Sequence, residues 1–200
     1  MFDTNIFDRI VKNEIDISPF VGKIAVYATH IQYDELNATG YEYKAPNGEP
    51  LREQLIKLFH TLTKTLPTES GVVGISKIGA SKIAGNVVAT ESAVWDVSRW
   101  DEAKWGGNAI NTSSAAYGVS RYGKSTYGGS NLCKDIWEKL DKRAIKDNNS
   151  KDALIAETAI LNDLILVTHD RILYEVVTKD FKARAESLDD LFNKINAIRT

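Results

Sequence analysis

Cysteine is nearly absent. Cys133 stands alone, which excludes an internal disulfide framework and a zinc site built on several thiolates. The three histidines, His30, His60 and His169, show no metal-binding spacing. Net charge is small as well: 25 Lys and Arg against 27 Asp and Glu give −2 over 200 residues. Bulk positive charge therefore cannot drive nucleic-acid binding, although a local basic surface can. No apolar run approaches the roughly 18 residues of a membrane-spanning helix. The start, MFDTNIFDRI, has an acid at position 3 and no basic stretch leading into an apolar core, so no secretory signal is read there. A cytoplasmic protein without membrane attachment is the expectation. No phosphate-binding glycine loop of the G-x-x-x-x-G-K-[ST] kind occurs, and GVVGISKIG lacks the order of a dinucleotide fingerprint.

What is present is unevenly spread. Ten of the 13 glycines fall between Gly71 and Gly129, together with Trp95, Trp100 and Trp105. The flanks, residues 1–66 and 132–200, read as alternating short apolar strands and helices. Residues 1–6 suggest a strand followed by a helix over FDRIVKN, and KIAVYAT at 23–29 a second strand before a helix beginning HIQYDELNA. Leu51, Leu55, Leu58, Phe59, Leu62 and Leu66 share one face of a helix over 51–66, with Pro67 beyond it. A helix over 132–146 carries Leu132, Ile136, Trp137 and Leu140 as its buried stripe, with Cys133 packed. Ser150 is read as the cap of a helix through DALIAETAIL, LILVTH as a strand, and Asp170 as the cap of RILYEVV. A short strand near KARAE and a last helix opened by Ser187 complete the pattern. The fold class expected is α/β, a mostly parallel sheet covered by helices on both faces.

In such sheets ligands gather beyond the carboxyl ends of the strands. Asp3, Glu35, Asp152 and Asp170 all fall near strand ends or helix starts. Each has a structural reading too: Asp152 suits a helix macrodipole and Asp170 an N-cap. Asp3, in an apolar opening strand, is the hardest to explain without a ligand.

The pieces DTNIF at 3–7, DEL at 34–36, KDALIAETAI at 151–160 and LVTHDRIL at 166–173 occur in an order that resembles the PIN domain, a nuclease fold of toxin–antitoxin ribonucleases and RNA-processing enzymes. The resemblance implies a three-layer PIN-like domain spanning 1–200, with residues 68–131 as an internal insertion. It implies a metal-dependent endoribonuclease that hydrolyses RNA phosphodiesters. Asp3, Asp152 and Asp170 would hold Mg²⁺ or Mn²⁺, Glu35 would ligate or orient water, and Asn5 and Thr168 would bond to the acids. Asp34 is a substitute for Glu35, and Asp8 is read as a solvated helix residue. A small antitoxin and a homodimer are partners such a family member could have. The rival reading is a catalytically inactive PIN-like module that binds RNA or protein.

The insertion, residues 71–131, carries six basic residues against four acids. Tryptophans and then Tyr117, Tyr122 and Tyr127 recur every five residues, matching neither a helix face nor a strand face. Two readings stay open: a loop or subdomain with the tryptophans as its own core, or an RNA contact through Trp95, Arg99, Trp100, Lys104, Arg121 and Lys124, rings stacking on bases and cations meeting phosphates.

Overall fold

Asp3 ends the opening extended segment. Its backbone is extended (φ −75°, ψ 158°), and its side chain accepts the Thr4 amide at 2.7 Å, which starts helix α1 at Thr4–Val11. The strand expected over 1–6 therefore stops three residues early. A carboxylate that can satisfy a free helix amide is worth more there than inside a sheet. In the computed structural model, residues 1–40, 42–72, 75, 126–127 and 131–197 are described. They are of mixed α/β type, and the chain divides into two compact units, Met1–Leu66 with Ala159–Thr200, and Pro67–Thr158.

The first unit is organised by short parallel strands. β1, Val26–Ala28, pairs with β2, Thr63–Thr65, in the register Val26↔Thr63 and Ala28↔Thr65. The opening segment lies between β1 and a later strand, β5, Leu166–Val167. The Phe2 amide donates to the Tyr27 carbonyl at 3.1 Å, while Asp3 donates to Val167 at 2.9 Å and Val167 to Met1 at 2.8 Å. Phe2 and Val167 form a parallel bridge. β5 in turn pairs in parallel with β6, Ala185–Glu186. The spatial order is thus β2, β1, the opening segment, β5, β6, with chain order reversing beside residues 1–3.

Helices follow the strands. β1 leads into α2, His30–Asn37, through a capping box in which Thr29 and Gln32 bond reciprocally. Helix α3, Leu51–Leu62, is shorter than its leucine stripe suggested, because residues 63–65 leave the helix as β2. Thr63 is extended there, its hydroxyl donating to the Phe59 carbonyl at 2.7 Å. A leucine spaced for the helix face can equally continue on an adjoining strand, so periodicity alone overran the boundary. β5 leads into α6, Arg171–Glu175, extended by a π turn over Val176–Asp180. Ser187 caps α7, Leu188–Ala197, accepting the Asp190 amide at 3.1 Å. The core joins Phe2, Ile6, Phe7, Val26, Leu55, Phe59, Val167 and Leu188, all buried. At its centre the Phe59 ring lies 5.7 Å from Phe7 and 5.5 Å from Tyr33.

In the second unit, β3, Gly71–Val72, pairs antiparallel with β4, Thr126–Tyr127. Helix α4, Leu132–Arg143, buries Ile136 and Leu140 of its expected stripe together with Cys133, while Leu132 and Trp137 are half-buried. Helix α5 spans Asn149–Leu161. Its first residue precedes Ser150, so Ser150 is in the first turn and is not the cap. The Asn148 carbonyl already accepts from Lys151 and Asp152, at 2.9 and 3.0 Å. Of the insertion, Trp95, Arg99, Trp100, Trp105, Lys104, Arg121 and Lys124 lie outside the described residues. Among the described residues no helix is long and apolar enough to cross a membrane.

Candidate functional site

Three acids of the first unit meet where the opening segment, β1 and β5 end. Asp3 is 4% exposed. One of its carboxylate oxygens takes the Thr4 amide, and the other takes the Asn5 side-chain amide at 2.7 Å and the Thr168 hydroxyl at 2.6 Å. Thr168 is the residue immediately after β5. Its oxygen also accepts the backbone amide of Asp170 at 2.9 Å. Asp170 then caps α6, accepting from Ile172 at 2.8 Å and Leu173 at 3.0 Å. From the other side, Thr4 donates its hydroxyl to Glu35 on α2 at 2.5 Å. Two threonines therefore knit Asp3 to Glu35 and Asp3 to Asp170.

The electrostatics follow from this packing. Burial pushes the Asp3 carboxyl up from 3.8 to about 6, because a charge is poorly solvated there. Glu35 and Asp170 push in the same direction by repulsion, while the bonds from Thr168 and Thr4 work against it. Glu35 and Asp170 are thus each within electrostatic reach of Asp3. Glu35 and Asp170 are half-buried.

Asn5 and Thr168 bond to Asp3 as read. Glu35, and not its neighbour Asp34, receives the Thr4 hydroxyl. Asp152 belongs to the second unit, 7% exposed in the first turn of α5. Asp8 is solvent-facing and pairs with Lys12 at 2.6 Å, as a helix-surface acid should. Cys133 is fully buried, and burial with the nearby Glu157 carboxylate pushes its thiol pKa up. His169 is exposed, and its backbone amide donates to the Asn5 side-chain oxygen at 3.3 Å. Its Nε2 meets an Arg9 guanidinium nitrogen. A guanidinium can only donate, so Nε2 is the acceptor in this contact. Burial first, and then Arg9, hold the His169 pKa below its ordinary value.

Sequence reasoning passed over Thr4 and Gln32. Thr4 was visible as the middle residue of DTN. Gln32 was visible as the fourth position of T-x-x-Q over 29–32, a capping box read from spacing alone.

The donor set of the three acids is all oxygen, which suits a hard divalent cation. A buried carboxyl whose pKa is raised by two like charges is also the arrangement a cation would relieve. As the side chains stand, both Asp3 carboxylate oxygens accept hydrogen bonds from Thr4, Asn5 and Thr168, and Glu35 accepts one from Thr4. Among the described residues no group of three or more His, Cys, Asp or Glu side chains is arranged to hold one. Two clefts of about 340 and 390 Å³ beside α1 and α3 share Ile10, Asn13, Leu58 and Thr61, and neither is lined by Asp3, Glu35 or Asp170. No protein-family model, curated protein or solved structure matches this chain.

Proposed function

We propose that the chain is a PIN-type metal-dependent endoribonuclease. The reading is supported chiefly by one observation: Asp3, Glu35 and Asp170, far apart in sequence, converge at the ends of adjoining strands where chain order reverses. Asp3, Glu35 and Asp170 would hold Mg²⁺ or Mn²⁺. A bound divalent ion would lower the pKa of an attacking water and stabilise the leaving oxygen of the phosphodiester. Asp3 supplies a buried carboxylate whose proton must leave before it can serve. Thr168 and Asn5 fix its orientation, and Thr4 fixes that of Glu35. RNA is the substrate class, and a small antitoxin or a second copy is the partner class the resemblance suggests.

The experiment is RNA cleavage in Mn²⁺ by the full chain and by Asp3→Asn. Turnover lost in the variant while its fold persists supports the proposal, and wild-type turnover by a folded Asp3→Asn overturns it. The competing reading is a PIN-like module that binds RNA or protein without cutting. It predicts RNA binding by the wild type without metal-dependent cleavage.

A further inference from the structure

We infer that the face shared by α1 and α3 docks a second copy of this chain, across a two-fold axis that passes close to Leu58. The two clefts beside these helices adjoin, because Ile10, Asn13, Leu58 and Thr61 line both. Those four residues form the divide between them. The floor is aliphatic: Ile10, Ile15, Leu58 and Leu62 pack on the core yet stay only half-buried. Aliphatic side chains left half-covered together on one face mark a contact surface. Asp3, Glu35 and Asp170 do not line it, so the inference stands apart from the nuclease reading.

The charges on this face select its occupant. Among the described residues, Lys57 is the charged group of the first cleft and Asp16 that of the second. Both are exposed, and neither is paired with an opposite charge among those residues. Asp16 accepts the Ser18 amide at 2.8 Å, and hydrogen bonds from Ser18 hold its pKa below the ordinary value, so it stays ionised. One cleft therefore carries positive charge and the other negative, on either side of an apolar divide. A two-fold axis through the divide sets each Lys57 opposite the other copy's Asp16, which makes the face complementary to itself. An unrelated partner would need an acid and a base at matching spacing, whereas a second copy brings both by symmetry. Val21 adds a knob. It rims the Asp16 cleft and is 59% exposed. Its neighbour Phe20 is buried, the ring stacked on Phe192 at 3.8 Å, which anchors the segment while Val21 faces out. The same axis brings Val21 to the other copy's Lys57 cleft, whose volume of about 340 Å³ admits a valine side chain.

The test is sedimentation equilibrium of the full chain, with circular dichroism melts to confirm that each variant folds. The face is small beside a standard interface, so the wild type should dimerise with a dissociation constant on the order of micromolar. Lys57→Glu and Asp16→Lys each set like charges against one another at both symmetric contacts, and each should weaken the dimer by roughly tenfold or more. Mixing the two single variants should restore association as a mixed dimer, because each copy then brings the charges the other needs. The double variant, Lys57→Glu with Asp16→Lys, exchanges the signs of both pairs and should recover most of the wild-type affinity. A wild type that stays monomeric up to about 200 μM overturns the inference and leaves this face to a different partner. A dimer indifferent to both single reversals overturns it too, since the copies would then meet elsewhere. Losses that neither the mixture nor the double variant recovers show that Lys57 and Asp16 do not face each other, and likewise overturn it.

Discussion

The hydroxyl of Thr168 donates to Asp3 at 2.6 Å across 165 positions of sequence. The same oxygen accepts the Asp170 amide, so one small side chain both charges the geometry of the first acid and places the third. A threonine suits this task because a hydroxyl gives one hydrogen and receives another, and because β-branching restricts its rotation.

Thr168→Val keeps the shape and removes both bonds. The carboxylate oxygen of Asp3 then retains only Asn5, and the Asp170 amide loses its acceptor at the entrance to α6. A loss of about 1–3 kcal/mol in urea unfolding is expected for buried groups left without partners. The Asp3 pKa should rise further, since the Thr168 bond is the largest influence holding it down. Carbon-detected NMR titration of the carboxyl would show this, and an unmoved Asp3 resonance would count against it.

Stability should depend on pH with an unusual sign over part of the acid range. Asp3 titrates at about 6 in the folded chain against 3.8 when free. Between those values the folded state holds a proton that the unfolded state has released. Raising the pH therefore lowers the unfolding free energy, by up to about 3 kcal/mol if Asp3 acted alone. Asp3→Asn should flatten this segment of the profile. Divalent cations should reverse it, because they bind the deprotonated form. Urea midpoints measured from pH 4 to pH 7, with chelator and with Mn²⁺, would decide. A chelated wild type whose stability climbs as steeply as that of Asp3→Asn across this window would refute the expected contribution.

The strands and helices of the first unit were legible because their apolar residues follow strand and helix spacing: KIAVYAT, LILVTH and the leucines of α3. The limits of these elements were not. Asp3 reads as a misplaced strand acid until the free amide of Thr4 is seen, and Thr63–Thr65 continue a leucine pattern that does not distinguish a helix end from a strand start. The three acids could be named from order and context. The hydroxyls between them could not be weighed, since a threonine's worth depends on which distant backbone comes within 3 Å. Gln32 shows the same limit, for its local spacing announces a cap while its side-chain nitrogen also donates to the distant Phe2 carbonyl.

Phe59→Ala should cost about 3–5 kcal/mol, the range for removing a large core ring. Phe59 is 3% exposed and joins Phe7 of α1, Tyr33 of α2 and its neighbour His60 in one ring cluster. It touches none of the hydrogen bonds around Asp3, so a variant that is still folded at low temperature should keep the Asp3 titration of the wild type. Denaturant melts and the same carboxyl titration check both halves. A drop below 1 kcal/mol would mean that this cluster is not part of the cooperative core.

Cys133 offers a separate probe of the second unit. Thiolate is the reactive form, and burial beside Glu157 disfavours it. The Glu157 carboxylate is itself buried, accepting from the Ser70 hydroxyl at 2.8 Å and from the Cys133 amide at 3.3 Å. This polar knot joins the segment before β3 to α4 and α5 within one unit, so exposing the sulfur requires opening it. Labelling by a maleimide or a disulfide reagent at pH 8 should be slower in the folded chain by roughly a hundredfold or more than in urea. Glu157→Gln removes the charge while keeping an acceptor, and should speed labelling if the knot is what closes the site. Full labelling of the native wild type within the dead time of the urea control would show that the second unit opens freely around α4.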